Sequence, residues 1–247
     1  MGLFGFGSNT VYYPGCFSLA KLKNKVENYK KILKKIGVNN SLPEDFRCCS
    51  GILINAGYDK EARKIARDNL ELFEKQKIKK IITNCPLCLK TFSQDYKEMM
   101  PDWDIDIEHI LITVLKKIKE NPNLVKNPLP REKIIYHDPC YLGRYSKIYK
   151  QPRELLILLG YDVVDLPYAR EESLCTGACG NLKQLNPELA DEIFRDFIKQ
   201  LYKLKINKIV TPDPYVYQHL KDNSGIENIQ VLEFSDIICD VLGIRRS

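Results

Sequence analysis

Cys16, Cys48, Cys49, Cys85 and Cys88 are five thiols spaced C-x31-CC-x35-C-x2-C, each near the end of an apolar segment. Thiols in this pattern can pair as disulfides, chelate zinc or ligate an iron–sulfur cluster. Disulfides account for them poorly, because an odd number leaves one over. The neighbours Cys48 and Cys49 also have Cα atoms about 3.8 Å apart, below the favoured disulfide range of about 4.4–6.8 Å. Zinc is served by Cys85-Pro86-Leu87-Cys88, a chelating C-x2-C. Structural zinc takes four ligands in a tetrahedron, however, and five thiolates overfill it. A cluster offers several metal corners, so adjacent thiolates can reach different irons, and cysteine is its usual protein ligand. Iron–sulfur chemistry is the favoured expectation, with zinc as the alternative.

The elements that carry these thiols occur twice. Val11-Tyr12-Tyr13-Pro14-Gly15-Cys16 is echoed by Ile134-Ile135-Tyr136-His137-Asp138-Pro139-Cys140. Each is followed by a basic, helix-like stretch ending in glycine, at Gly37 and at Gly160. Arg47-Cys48-Cys49-Ser50-Gly51 then matches Ser173-Leu174-Cys175-Thr176-Gly177, and helix patterns follow over 59–76 and 187–204. Lys80-Ile81-Ile82-Thr83 matches Lys208-Ile209-Val210-Thr211, and closing helices are expected to begin at Glu108 and Glu233. A near-constant offset along the chain means duplication. The breaker-rich segment Asn121 to Pro130 is expected to link a first lobe, 1–125, to a second, 131–247.

Short β-branched runs alternating with longer helical patterns predict an α/β fold: two duplicated lobes, each a mostly parallel sheet flanked by helices. Cys16, Cys85 and Cys140 then fall in loops at the carboxyl ends of strands, where open α/β sheets carry their ligand sites. Helix N-termini there also favour thiolates.

The five-cysteine pattern and the duplicated layout resemble the CCG (cysteine-rich) domain proteins. These include the cysteine-rich subunit of heterodisulfide reductase and the iron–sulfur subunits of glycolate and lactate oxidases. The resemblance implies that Cys16, Cys48, Cys49, Cys85 and Cys88 ligate a 4Fe–4S cluster, cubane or non-cubane. It further implies an iron–sulfur subunit of an oxidoreductase complex. Such a subunit passes electrons between a flavin or cluster partner and a disulfide, quinone or other carrier. The implied partner is a flavoprotein, such as an FAD-linked oxidase, or a ferredoxin-like iron–sulfur subunit. A zinc-stabilised scaffold without redox turnover is the alternative.

The second half departs from the pattern. Thr176 replaces the second vicinal cysteine, and alignment of Thr83 with Thr211 puts Asp213 at the Cys85 position and Val216 at the Cys88 position. Cys179 is an extra thiol, spaced one helical turn beyond Cys175. Cys140, Cys175, Cys179 and Asp213 could hold a 4Fe–4S cluster, zinc or nothing.

The remaining features bound the function class. The apolar runs are far short of a membrane span. The opening residues have no basic region of an export signal, and many cysteines without such a signal point to a reducing cytoplasm. The net charge of +6 is spread over dispersed lysines with no nucleic-acid recognition motif. Gly2, Gly5 and Gly7 suggest an apolar tail. No ferredoxin-type cysteine run or dinucleotide fingerprint is present, so electrons must come from another polypeptide. His137 is expected to serve the strand end, His109 and His219 to lie on helices, and Cys239 to be a small buried hydrophobe. Arg144 is either a cap or a neutralising charge beside Cys140.

Overall fold

The computed structural model describes residues 9–39, 41–127, 131–223 and 229–247. The glycine-spaced tail lies outside them, as does the end of the linker. The first lobe runs β1 (Thr10–Tyr13), α1 (Cys16–Lys21), α2 (Lys23–Lys35), α3 (Gly51–Asn55), α4 (Asp59–Lys75), β2 (Lys80–Thr83), α5 (Pro86–Lys90), α6 (Tyr96–Met99), β3 (Asp106–His109) and α7 (Ile110–Glu120). The second runs β4 (Glu132–Tyr136), α8 (Lys150–Leu158), β5 (Tyr161–Asp165), α9 (Leu182–Leu185), α10 (Pro187–Tyr202), β6 (Lys208–Thr211), α11 (Pro214–Asn223), β7 (Gln230–Glu233) and α12 (Phe234–Val241). A π-helical turn, Thr91–Asp95, joins α5 to α6, and another, Tyr141–Tyr145, follows Cys140.

The strands form two sheets, ordered β1-β2-β3 and β5-β4-β6-β7. Every pairing among them is parallel. Their β-branched and aromatic runs suit strands covered on both faces. Side chains alternate between two cores, as the strand period requires. Tyr12 and Ile82 face one way, and Val11, Tyr13 and Ile81 the other. In the second lobe Ile134, Tyr136 and Val210 oppose Ile135 and Ile209.

The inward faces meet in one core shared by both lobes, where α2 and α7 pack on α12 and α8. Polar side chains tie its rim. Tyr29 donates to Glu233 at 2.7 Å, and Asp236 accepts from Lys25 at 2.5 Å and from Asn28 at 2.9 Å. The linker is not slack up to residue 127, since the Lys126 and Asn127 amides donate to the Val241 carbonyl at 2.9 and 3.1 Å.

The lobes differ at one edge. Gly160 ends a helix and leads into β5, whereas Gly37 leads into an irregular segment. That segment still touches β1: the Tyr12 amide donates to Ser41 O at 2.8 Å and Asn39 Nδ2 to Thr10 O at 2.7 Å. The closing helices start after the strand ends rather than at the glutamates. Glu108 lies within β3, and His109 at its end caps α7; Glu233 ends β7 and caps α12.

One ion-pair network holds the loops of the second lobe. Arg153 makes a two-pronged contact with Asp138, Nη1 to Oδ1 at 2.7 Å and Nη2 to Oδ2 at 2.6 Å, and its Nε donates to Asp165 at 2.8 Å. Its guanidinium lies 4.6 Å from the centre of the Tyr136 ring. Asp138, two residues before Cys140, also accepts from the Arg170 amide and, through its carbonyl, from the Ser173 hydroxyl, each at 2.9 Å. Arg153→Ala strands the Asp138 carboxylate, whose side chain is 1% exposed. The variant should lose about 3–5 kcal/mol of unfolding free energy in urea titrations. A loss below about 1 kcal/mol, the surface-pair range, would contradict the network's role.

Candidate metal centre

All nine cysteines are free thiols, and five converge at the carboxyl end of the first sheet. Cys16 opens α1 after Gly15, whose φ of +81° is the left-handed conformation that glycine tolerates. A Cβ on Gly15 would stand 3.0 Å from Cys85 Cβ and 3.3 Å from Cys88 Sγ. Cys85 caps α5, and its sulfur accepts from the Cys88 amide at 3.4 Å. Thr83 orients this turn by accepting from the Cys85 amide at 3.1 Å.

The vicinal pair lies in irregular backbone, so its carbonyls need side-chain donors. Tyr13 donates to Arg47 O, Asn69 to Cys48 O at 2.9 Å and Tyr96 to Cys49 O at 3.0 Å. Asn69 and Tyr96 also bond each other at 2.9 Å. Ser50 follows at φ +63°, turning its amide onto Cys48 Sγ at 3.4 Å. Beneath this loop Phe73, Phe92, Tyr96 and Trp103 form an aromatic floor, with Phe92 and Trp103 stacked at 5.6 Å. Tyr13, Asn69, Tyr96 and Trp103 went unrecognised as site residues in the sequence. Asn69 carried one signal, a polar residue on the buried stripe Ala62, Ala66, Leu70 and Phe73 of α4.

The thiols contact one another. Cys16 and Cys48 sulfurs are 3.7 Å apart. Hydrogen bonds from Cys16, Cys49 and the Ser50 amide hold Cys48 down to about 3. Cys16 is pushed up by its hydrogen bond to Cys48 and by burial. Cys49 is raised by Cys48, and Cys88 by Cys49, Cys85 and burial. Cysteine binds metal as the thiolate, so a metal that enters here must displace the thiol protons. The pocket that these sulfurs line encloses about 10 Å³. Among the described residues no three His, Cys, Asp or Glu side chains are set around a single ion. The donor set fits a multi-iron group by its chemistry: five sulfurs, two of them adjacent, on a rigid apolar floor.

The second lobe repeats the frame with fewer donors. The Gly177 amide meets Cys175 Sγ at 3.3 Å from a residue at φ +79°, as Ser50 does for Cys48. Cys179 occupies the position of Ile52 and lies in irregular backbone, so its spacing from Cys175 does not amount to a helical turn. Cys140 and Cys179 hydrogen-bond, which lowers Cys140 and raises Cys179. Asp213 takes the capping role of Cys85: Oδ1 accepts from the Tyr215 amide at 2.8 Å and the Val216 amide at 3.2 Å. Its Oδ2 faces Cys179 Sγ at 3.9 Å. Cys175 is the exposed member of this set. Arg144 caps the cysteine loop, donating to Ser173 O at 2.6 Å and Glu171 O at 3.2 Å, and its charge also lowers Cys140. His137 is buried at the end of β4 with Nδ1 3.3 Å from Thr211 Oγ1, and burial holds it down to about 4. Cys239 is fully buried in the shared core.

The two cysteine regions face each other across the lobe boundary. A cavity of about 90 Å³ lies there, lined by Ile52, Leu87, Tyr141, Cys179, Asp213 and Tyr215 among others. Asn55 of the first lobe donates to the Tyr141 hydroxyl at 2.6 Å across it.

A family model described as the CCG cysteine-rich domain matches residues 10–93 and again residues 134–221. The chain is 30% identical over 213 residues to an uncharacterized iron–sulfur protein of Methanocaldococcus jannaschii, covering 86% of this chain and 41% of that one. It is 25% identical over 248 residues to one subunit of the dihydromethanophenazine:CoB–CoM heterodisulfide reductase of Methanosarcina barkeri, covering 97% and 60%. It is 28% identical over 209 residues to an EtfAB:quinone oxidoreductase of Syntrophomonas wolfei, covering 83% and 28%. The chain thus spans 60% or less of the length of each of these relatives.

Burial pushes the Asp213 carboxyl up to about 6 from its ordinary 3.8, against the pull of the two amides and the Cys179 thiol. A raised carboxyl contributes stability that is fully present below pH 3.8 and lost as pH rises through about 6. Asp213→Asn keeps a capping oxygen without the titration. The stability difference, wild type minus variant, should fall on the order of 2 kcal/mol across that window in metal-free protein. A flat difference would contradict the burial of this carboxyl.

Proposed function

This chain belongs to the CCG, or cysteine-rich domain, family, and from that premise we propose that it is an iron–sulfur subunit of an oxidoreductase complex. The ligands proposed for a 4Fe–4S cluster are Cys16, Cys48, Cys49, Cys85 and Cys88. The observation that carries this reading is the convergence of all five thiols on one pocket from three separate loops. Such a cluster, when bound, stores and releases electrons one at a time.

The chain's own residues have three tasks in this role. The latch made by Tyr13, Asn69 and Tyr96 holds the vicinal pair so that both sulfurs enter one pocket. Backbone amides of Ser50 and Cys88 point at sulfurs and stabilise negative charge on them. The buried aromatic floor excludes water from beneath, which tunes the potential of a cluster held above it.

The second lobe supports a weaker version of the same chemistry. Cys140, Cys175 and Cys179 supply three sulfurs, but Asp213 is already engaged with two amides. We accordingly assign the cluster to the first lobe. Curated relatives that carry a comparable segment include a heterodisulfide reductase component and a quinone oxidoreductase. We therefore infer transfer of electrons from a flavoprotein or ferredoxin-like partner towards a disulfide, quinone or similar carrier. Among the described residues no helix is long and apolar enough to cross a membrane.

Cys85→Ala should lose most of the bound iron and the visible absorbance of anaerobically purified protein. Cys239→Ala, in the shared core, should retain both. Full iron in the Cys85 variant would overturn the ligand assignment.

A further inference from the structure

The duplication sets Phe17, which follows Cys16, in register with Tyr141, which follows Cys140. It likewise sets Leu87, inside the C-x2-C, in register with Tyr215. Across the lobe boundary these positions pair crosswise. The Phe17 ring stacks on Tyr215 with centroids 4.0 Å apart and planes 26° from parallel. Tyr141 packs into the apolar cluster that holds Leu87, and both line the interlobe cavity. Each lobe therefore turns the middle of the C-x2-C turn, or of its Asp213–Val216 counterpart, towards the other lobe's leading cysteine.

Tyr215 has the more consequential place. Among the described residues it is the only one from the second lobe that lines the five-thiol pocket. It also lines the interlobe cavity and an open groove that includes Lys21, Lys183 and Gln218. Together with Ile52 and Leu87, which line both spaces as well, its ring forms the wall between the thiols and the interlobe cavity. The turn beneath it is held by Asp213, which accepts from the Tyr215 and Val216 amides as Cys85 accepts from Cys88. The second lobe lacks the chelating cysteines of this turn and shares its geometry.

We propose that Tyr215 is the lid of the first-lobe cysteine site, a positioning residue supplied by the second lobe that controls the access of water and small reagents to Cys16 and its neighbours. The lid acts through its ring, stacked on Phe17, so phenylalanine can replace it and alanine cannot. A retained lid gives the second lobe a task that needs no metal of its own. The effect of the lid on iron rests on the cluster reading given above, whereas its effect on thiol access does not.

The test uses the anaerobically purified chain and its Tyr215→Ala and Tyr215→Phe variants. Two rates are measured: iron release to the chelator ferrozine, and labelling of Cys48, whose sulfur touches that of Cys16 in the same pocket, by iodoacetamide in chelator-treated protein, followed by peptide mass spectrometry. Loss of the aromatic stack should speed both by roughly three- to tenfold in the alanine variant. The phenylalanine variant should stay within about twofold of wild type. Wild-type rates in Tyr215→Ala would overturn the lid. Should that variant fail to fold, Phe17→Leu opens the same stack from the first lobe and must show the same acceleration. Protein that carries no iron would defeat the cluster reading alone, since the labelling rates still decide the lid.

Discussion

Two adjacent thiols must enter one buried pocket from a stretch of chain that belongs to no sheet or helix. Three side-chain hydrogen bonds make this possible. Tyr13, Asn69 and Tyr96 take the carbonyls of Arg47, Cys48 and Cys49 in succession, and so replace the ladder bonds that a strand would provide. The donors come from β1, α4 and α6, which ties the loop to the parts of the lobe that pack around it. Without that anchorage the vicinal sulfurs would be free to turn to solvent, and the hydrogen bonds of Cys16 and the Ser50 amide to the Cys48 sulfur would be lost. The apolar floor under the loop, built on Phe92 and Trp103, is what requires the donors to be matched.

The second lobe solves the same backbone problem with different chemistry. Its loop is held by charge, through Arg144 on the Ser173 carbonyl and Arg153 on Asp138. An unpaired carboxylate there is costlier still than an unsatisfied carbonyl in the first lobe. The left-handed residue after the cysteine, the amide on sulfur and the capped turn all survive, with Gly177 and Asp213 in the places of Ser50 and Cys85. The frame is therefore common to both lobes, while the ligand set is not. A shared core and a crossed pairing of Phe17 with Tyr215 make the two lobes mutually dependent.

Much of this was legible in the sequence, because duplication and thiol spacing are one-dimensional signals. The β-branched runs before Cys16, Cys85 and Cys140 placed these residues at strand ends, and the alignment that put Asp213 opposite Cys85 matches its capping role. Other features had no such signature. The latch joins residues 34, 21 and 47 positions apart, and side-chain bonds to carbonyls follow no period. The shared core was hidden because an amphipathic pattern says that a helix face is buried, not against what. Among the described residues the edge strand β5 has no counterpart after Gly37, where Asn39 and Ser41 bond β1 by other means. Cys179 was spaced like a helical turn but sits in a loop, since Gly177 and Gly180 take left-handed conformations on either side of it.

Metal and acid-labile sulfide content of the anaerobically purified chain, read together with its EPR spectrum, bears on the iron–sulfur assignment before any variant is made. Five thiols on one pocket predict roughly four irons with matching sulfide and a paramagnetic signal in one redox state. Zinc without sulfide, or protein that takes up no metal under these conditions, would contradict the assignment.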